Sequence, residues 1–350
     1  RKRGLFAVAI GVLMGASLIL TASSSVAAVG SAQFLIGVAG AFLAPLIAAI
    51  TMGIVGKSGF DRQFGRNQSF NAAGNVFTAL LLAGLSYKFG PRIIFLAAGA
   101  LGIPTLLSVS AIDANSIDYA RSRGAAKVDH HANVSRLGTL VQDKVLLAFL
   151  IAAFLFHLAN AAMLPELGEM LSKNNARTAA PFMSACVIVT QLVITIFAAW
   201  VGRKAGTIGR KPLLLAGFGV LPIRGVLYTL THVTTALIAI QVLDGVANCI
   251  FGVVSILVVA DRTRGTGRFN LAQGALATMV GIGAALSNTL GGQLVQHYSF
   301  NASFLGLSVV AVLAGLTLWF AVPETLQKED ERGSDTTINS HLVPDQRLAG

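Results

Sequence analysis

The chain has 350 residues, 54% of them hydrophobic and 12% charged, with a mean hydropathy of +0.72. A soluble globular domain carries about 25% charged residues, so this balance argues against a soluble enzyme or binding module and for a protein solvated by lipid. The formal net charge of +11 does not point to nucleic acid, because the Lys and Arg residues fall in short breaks between apolar runs, the distribution that the positive-inside rule describes.

From Gly4 to Gly56 there is no Asp, Glu, Lys, Arg or His, a run of 53 residues. A helix needs about 20 apolar residues to cross a bilayer, so this run predicts two spans and a turn. Further uncharged stretches occupy 67–87, 93–112, 145–156, 178–202, 212–223, 245–260, 269–296 and 299–323. Together they predict ten transmembrane helices at 5–23, 27–54, 69–87, 91–111, 145–165, 179–201, 213–231, 235–260, 271–293 and 303–322. The alternating segments of a transmembrane barrel are absent. Cys186 and Cys249 lie inside predicted spans and read as small buried hydrophobes rather than a disulfide framework.

Most connections are short, which makes successive spans antiparallel neighbours. The exception is the polar loop 112–144, with His130, His131 and five Lys or Arg residues, which separates four spans from six. The expected organisation is an N-terminal bundle at 1–111, an inter-bundle loop at 112–144, a C-terminal bundle at 145–322 and a polar, disordered tail at 323–350. With Arg1, Lys2 and Arg3 placed in the cytoplasm, 21 of the 26 Lys and Arg residues fall on that side. This predicts both visible termini in the cytoplasm and the inter-bundle loop on the same side.

The chain also repeats itself. Shifted by 208 residues, Gln33, Leu35, Gly37, Val38 and Ala39 fall on Gln241, Leu243, Gly245, Val246 and Ala247. With the connecting loop eight residues shorter, Asp61, Arg62, Gly65 and Gly74 meet Asp261, Arg262, Gly265 and Gly274. The first span therefore matches the seventh, the second the eighth and the third the ninth. A unit of six spans is implied, its two copies in one orientation about an axis along the membrane normal.

Two six-helix bundles joined by a long cytoplasmic loop resemble the major facilitator superfamily, over residues 1 to about 323. That family carries a loop motif of the form G-x-x-x-D-R-x-G-R-R after the second helix of each bundle. Here Gly202, Gly206, Gly209, Arg210 and Lys211 stand in that place, with Gly206 at the Asp position and Thr207 at the first basic one. For Arg210 and Lys211 the resemblance implies a gating contact at the cytoplasmic face, with a simple inside anchor as the alternative, and it also implies that the chain is N-terminally truncated by two spans and does not transport in this form. The family's fourth helix often carries R-x-x-Q-G. The corresponding Gln33, Phe34, Leu35, Ile36 and Gly37 lack its Arg and its Gln, which argues against proton-coupled export by that route.

Several polar residues stand out inside the apolar runs. Arg224 and Asp244 lie on adjacent spans and have no counterpart in the first copy, where Ala16 and Ile36 occupy their positions. A charge at mid-membrane costs roughly 2.5–3.5 kcal/mol on insertion scales, so a paired or water-linked couple is expected. Gln241, Asp244 and Asn248 share one helix face by their spacing. His157 and Asn160 are three apart on the fifth span, and His157 titrates near neutrality. By the resemblance, helices carrying Gln33, His157, Asn160, Gln241, Asp244 and Asn248 line the central cavity, and Arg224 sits on a scaffold helix. Asn71 and Asn75 are candidates for packing or cross-helix hydrogen bonds.

The function expected is secondary active transport of a small organic solute by alternating access, as proton-linked efflux of an amphipathic compound across the plasma (inner) membrane. A transporter-like membrane sensor is the alternative, and a membrane-embedded lipid or prenyl transferase a weaker one, since no paired D-x-x-D site lies between spans. No enzymatic activity, no metal and no cofactor beyond a coupling proton is expected. The expected partners are a small-molecule substrate and the bilayer, not nucleic acid, and the protein is expected to be a monomer.

Overall fold

A computed structural model describes residues 2–90, 92–125, 142–174 and 176–326. Ten α-helices build it: α1 (Lys2–Ala22), α2 (Val26–Phe89), α3 (Ile93–Ser110), α4 (Lys144–Asn160), α5 (Met163–Asn174), α6 (Ala176–Ile208), α7 (Arg210–Leu230), α8 (Thr234–Arg262), α9 (Phe269–His297) and α10 (Phe300–Ala321). Lipid offers no partner to backbone N–H and C=O groups, so a chain crossing it must satisfy them within each helix. Large apolar side chains such as Phe34, Phe42, Phe70, Phe77, Trp319 and Phe320 are left exposed, which suits a surface solvated by lipid.

Among the described residues nine helical stretches are long and apolar enough to cross a membrane, not ten. The difference lies in α2. The expected second and third spans are one helical segment of 64 residues whose backbone leaves helical geometry only at Gly56, with φ 67° and ψ −175°. The region between the two spans, expected as a loop, is helical up to and beyond this one residue. The chain nevertheless doubles back there. Asn67 Nδ2 donates to Thr51 Oγ1 at 2.9 Å, whereas 16 residues of straight helix would separate the two by about 24 Å. Gly56 supplies the positive φ that a side chain would oppose. The fifth span is likewise interrupted, by a short break at Ala161–Ala162 between α4 and α5.

Helix neighbours follow the internal repeat. α1 packs on the first arm of α2 and on α3, while α7 packs on α8 and on α10. The first and second spans are therefore paired as the seventh and eighth are, and the first and fourth as the seventh and tenth. α4 lies against α9 and α10, and α6 against α8. The two halves meet chiefly where α2 packs on α6. At that seam Gly65 faces Gly202: a Cβ on Gly202 would lie 2.9 Å from the Gly65 Cα and 2.6 Å from the Asp61 carbonyl oxygen. Further along, the Ala199 N–H donates to Ser69 Oγ at 3.0 Å and Asn75 Nδ2 to Gln191 Oε1 at 3.2 Å. Asn75 thus makes a cross-helix bond, whereas Asn71 is exposed.

Two expected irregular segments are partly built. In the inter-bundle loop, Ala114–Ser116 and Arg121–Arg123 form 3₁₀ turns. The Asp118 N–H donates to the Gly53 carbonyl at 3.1 Å, and Lys2 Nζ donates to the Ser122 carbonyl at 2.8 Å. His130 and His131 lie outside the described residues, as does the tail from 327 to 350. The expectation of a tail disordered from 323 onward is corrected at its start, because Glu324 is bound. Its carboxylate oxygens accept the Arg210 N–H at 2.8 Å and the Lys211 N–H at 3.0 Å. These are among the N–H groups that the start of a helix leaves without partners, and a carboxylate there also complements the helix dipole. Partial burial raises the Glu324 pKa, but backbone N–H donors from Leu326, Arg210, Lys211 and Thr325 outweigh it, and the carboxyl is held below its usual range. A depressed carboxylate stabilises the fold above its unfolded pKa, and the contribution is lost as pH falls through the folded value. Glu324→Gln should therefore lower stability at neutral pH by up to about 1 kcal/mol, given its exposure, and erase part of the acid sensitivity of thermal unfolding.

Candidate functional site

Mid-depth in the second half, four helices contribute to one polar network. Arg224 on α7 donates through Nη1 to Asp244 Oδ1 on α8. Thr190 on α6 donates to the other carboxylate oxygen at 3.1 Å, and Asn248 Nδ2 donates to Asp244 Oδ1 at 2.9 Å. Asn160 closes the set from α4: its Nδ2 donates to Asn248 Oδ1, and its carbonyl accepts from Arg224 Nη2, each at 3.4 Å. That carbonyl stands at the break between α4 and α5. The Arg224 guanidinium also lies 5.6 Å from the centre of the Tyr228 ring, a cation–π distance. Arg224 is 1% exposed and Asp244 7%.

The couple expected from sequence is thus a direct ion pair. The structure joins Asn160, Arg224, Asp244 and Asn248, and adds Thr190, which nothing in the sequence singled out. Gln241 is fully buried one turn from Asp244, with both amide atoms lacking a hydrogen-bond partner among the described residues. His157 sits a turn below Asn160 in an aromatic niche, its ring 4.7 Å from that of Phe251 and 5.3 Å from that of Phe156, with Nδ1 3.3 Å from the Ala153 carbonyl oxygen. Gln33 lies exposed on α2, apart from the network.

A second cluster lies at one end of the helices, where the seam between the halves closes. Arg210, 1% exposed at the start of α7, donates through Nη2 to Asp61 Oδ2 at 2.6 Å and through Nε to Asp261 Oδ2 at 3.0 Å. Lys57 pairs with the other oxygen of Asp261. Asp61 and Asp261 are the two copies of one repeat position, and both grip the same arginine. The glycines expected to form a gating motif surround it. Gly202 makes the close approach to Gly65, Gly206 leaves Asp61 Oδ2 within 3.6 Å of where its Cβ would be, and Gly209 has φ 111°, beside Glu324. Lys211 Nζ donates to the Trp319 carbonyl at 2.6 Å, tying α7 to the end of α10. Near this end a cavity of about 420 Å³ opens between α1, α2 and α3, with Ile47, Ile50 and Ile54 beside Thr51, Gln63 and Asn67.

These geometries define a helical membrane protein of two repeated units with a charged clasp across their seam. The chain belongs to the Major Facilitator Superfamily, whose sequence profile matches residues 1–221 and 149–344. An uncharacterised MFS-type transporter of Mycobacterium tuberculosis is 37% identical over 339 residues, which is 96% of this chain and 81% of that protein. A uridine/deoxyuridine transporter of Lactococcus lactis is 28% identical over 188 residues, 53% of this chain and 38% of that one. Among solved structures, the proton:xylose symporter XylE superposes with a TM-score of 0.71 at 13% identity, covering 93% of this chain and 81% of that one. The transporter FucP in its outward conformation superposes with a TM-score of 0.68 at 10% identity, covering 92% and 84%. At such identities the likeness is one of fold.

Two substitutions separate the clusters. Asp244→Asn leaves Arg224 buried without its counter-ion, which should cost about 3–5 kcal/mol, while the double change Arg224→Met with Asp244→Leu should recover most of it; thermal unfolding in detergent reads both. Arg210→Ala removes the cation shared across the seam, weakening the clasp by about 3–5 kcal/mol. It should raise the reactivity of a cysteine placed at Ala205, which is buried beside the clasp, toward a polar thiol reagent; Cys186 and Cys249 are both buried and contribute little background.

Proposed function

We propose that this transporter carries a small organic solute by alternating access, as proton-linked efflux of an amphipathic compound. The observation that carries the reading is Arg210 bound at once to Asp61 and Asp261. It ties repeat-related positions of the two halves to each other through ionic contacts, which can exchange for water when the halves rock apart. Packed interfaces of this kind switch between discrete arrangements rather than deforming gradually. The Gly65–Gly202 approach beside it provides a surface on which the halves pivot.

The assignment of this end to the cytoplasm rests on loop charge, which also puts both visible termini inside, and the membrane proposed is the plasma (inner) membrane. An amphipathic substrate suits the cavity beside α2, which sets a few amide and hydroxyl groups among isoleucines. A nucleoside is the competing substrate class suggested by the Lactococcus relative. Asp244 is assigned a positioning part, holding α8 against α7 through Arg224. The protein is taken to act as a monomer without a cofactor.

The full-length protein in liposomes with an imposed pH gradient tests the proposal. Gradient-driven movement of a fluorescent amphipathic cation or weak base is the expected result. Movement of uridine alone would replace the substrate class, and saturable binding with no flux of either compound would make the protein a sensor.

A further inference from the structure

Glu166 stands apart from both clusters. It lies on α5, one turn past the helix break, within a stretch long and apolar enough to cross the membrane. Its side chain is 5% exposed. One oxygen, Oε1, accepts from Ser303 Oγ on α10 at 3.0 Å, and Oε2 has no hydrogen-bond partner among the described residues. No cation pairs with it among the described residues. Gly291 on α9 makes room for it, since a Cβ there would overlap Oε1.

Among the described side chains, the groups around it do not supply a counter-charge. On α5 itself, Glu169 is a like charge, exposed and paired with Lys173 at 3.2 Å, and Lys173 leans over the Phe300 ring at 4.7 Å. α6 offers the buried Cys186, α10 offers Ser303, and α9 offers Ser287, whose hydroxyl accepts the Ala162 N–H at 2.9 Å, with His297 exposed farther along. On α7, Tyr228 is buried and Arg224 is already committed to Asp244 and the Asn160 carbonyl. An ionised carboxylate held out of water by a single hydroxyl donor carries a penalty of several kcal/mol, so such a group takes a proton instead. The serine hydroxyl serves either form, donating to a carboxylate or accepting from an acid.

We propose that Glu166 is a proton-binding site of this transporter, protonated in the closed arrangement described here and releasing its proton to water when the packing of α5 against α9 and α10 opens. The step is a bare protonation: a carboxylate oxygen gains or loses H⁺, no other bond changes and nothing is oxidised. A two-residue turn at Ala161–Ala162 separates α5 from α4. The backbone also links the site to the central network, because the Glu166 N–H donates to the Ala162 carbonyl and the preceding Asn160 carbonyl holds Arg224. As a coupling site, this rests on the transport reading above; as a proton site, it does not.

Infrared difference spectroscopy on the full-length protein in lipid, stepped in pH, reads the proton directly. A protonated-carboxyl band present at neutral pH and lost in Glu166→Gln is expected. Persistence of every such band in that variant would overturn the proposal. Ser303→Ala keeps the acid but removes the donor that stabilises its ionised form, so the band's titration midpoint should move to higher pH; an unmoved midpoint counts against the site. In liposomes, Glu166→Gln should abolish the pH dependence of solute movement while a gradient-independent flux persists. Should the protein move no solute, the transport reading fails and the infrared result still decides Glu166. Should flux in Glu166→Gln retain its full pH dependence, the coupling role fails and transport stands.

Discussion

Two glycines bring the halves of this molecule backbone to backbone, and much of what surrounds that contact follows from it. Gly65 and Gly202 lack the side chains that would hold α2 and α6 apart. Close approach brings the Asp61 carboxylate to Arg210, which already faces Asp261. A buried arginine is tolerable because its planar fork serves two carboxylates at once. The seam therefore sets an ionic clasp beside apolar packing, in which the Phe60 ring of α2 meets that of Phe269 on α9 at 5.9 Å. Aliphatic packing gains nothing from water, whereas ionic contacts have an alternative partner in it.

The central network obeys a different rule. Arg224 and Asp244 are taken out of water and returned little beyond each other and the groups that complete their hydrogen bonds. Burial of such a pair is weak support for stability but a strong constraint on register, because a slip of either helix would strand a charge. Thr190, Asn160 and Asn248 extend that constraint to α6 and α4, so one ion pair fixes the relative height of four helices.

Most of the fold was legible in the sequence, because helices in lipid are announced by uncharged runs. The boundary errors have a common physical origin. At the membrane face, polar residues are compatible with helix and loop alike, so residues 57–68, read as a connection, turned out to be helical after a one-residue reversal at Gly56. Glu166 is hidden in the sequence for the same reason: next to Pro165, at the predicted end of a span, it reads as the start of a loop. The Arg224–Asp244 couple was visible because charges among apolar residues demand a partner on a neighbouring helix. Asp61 and Asp261 were visible as repeat copies, but their meeting at Arg210 was not, since it depends on how one copy sits on the other. Thr190 carried no signal, being an ordinary hydroxyl in an apolar run.

The reversal at Gly56 has a mechanical consequence. A connection of several residues between two spans would absorb displacement of one before the other felt it. Here a lone glycine joins two long rods, and the bond from Asn67 to Thr51 ties the arms to each other beyond it. Whatever rotates the arm that carries Asp61 and Gly65 drags the arm that carries Thr51 with it, and the cavity walled by Ile47, Ile50 and Ile54 changes shape in step with the clasp.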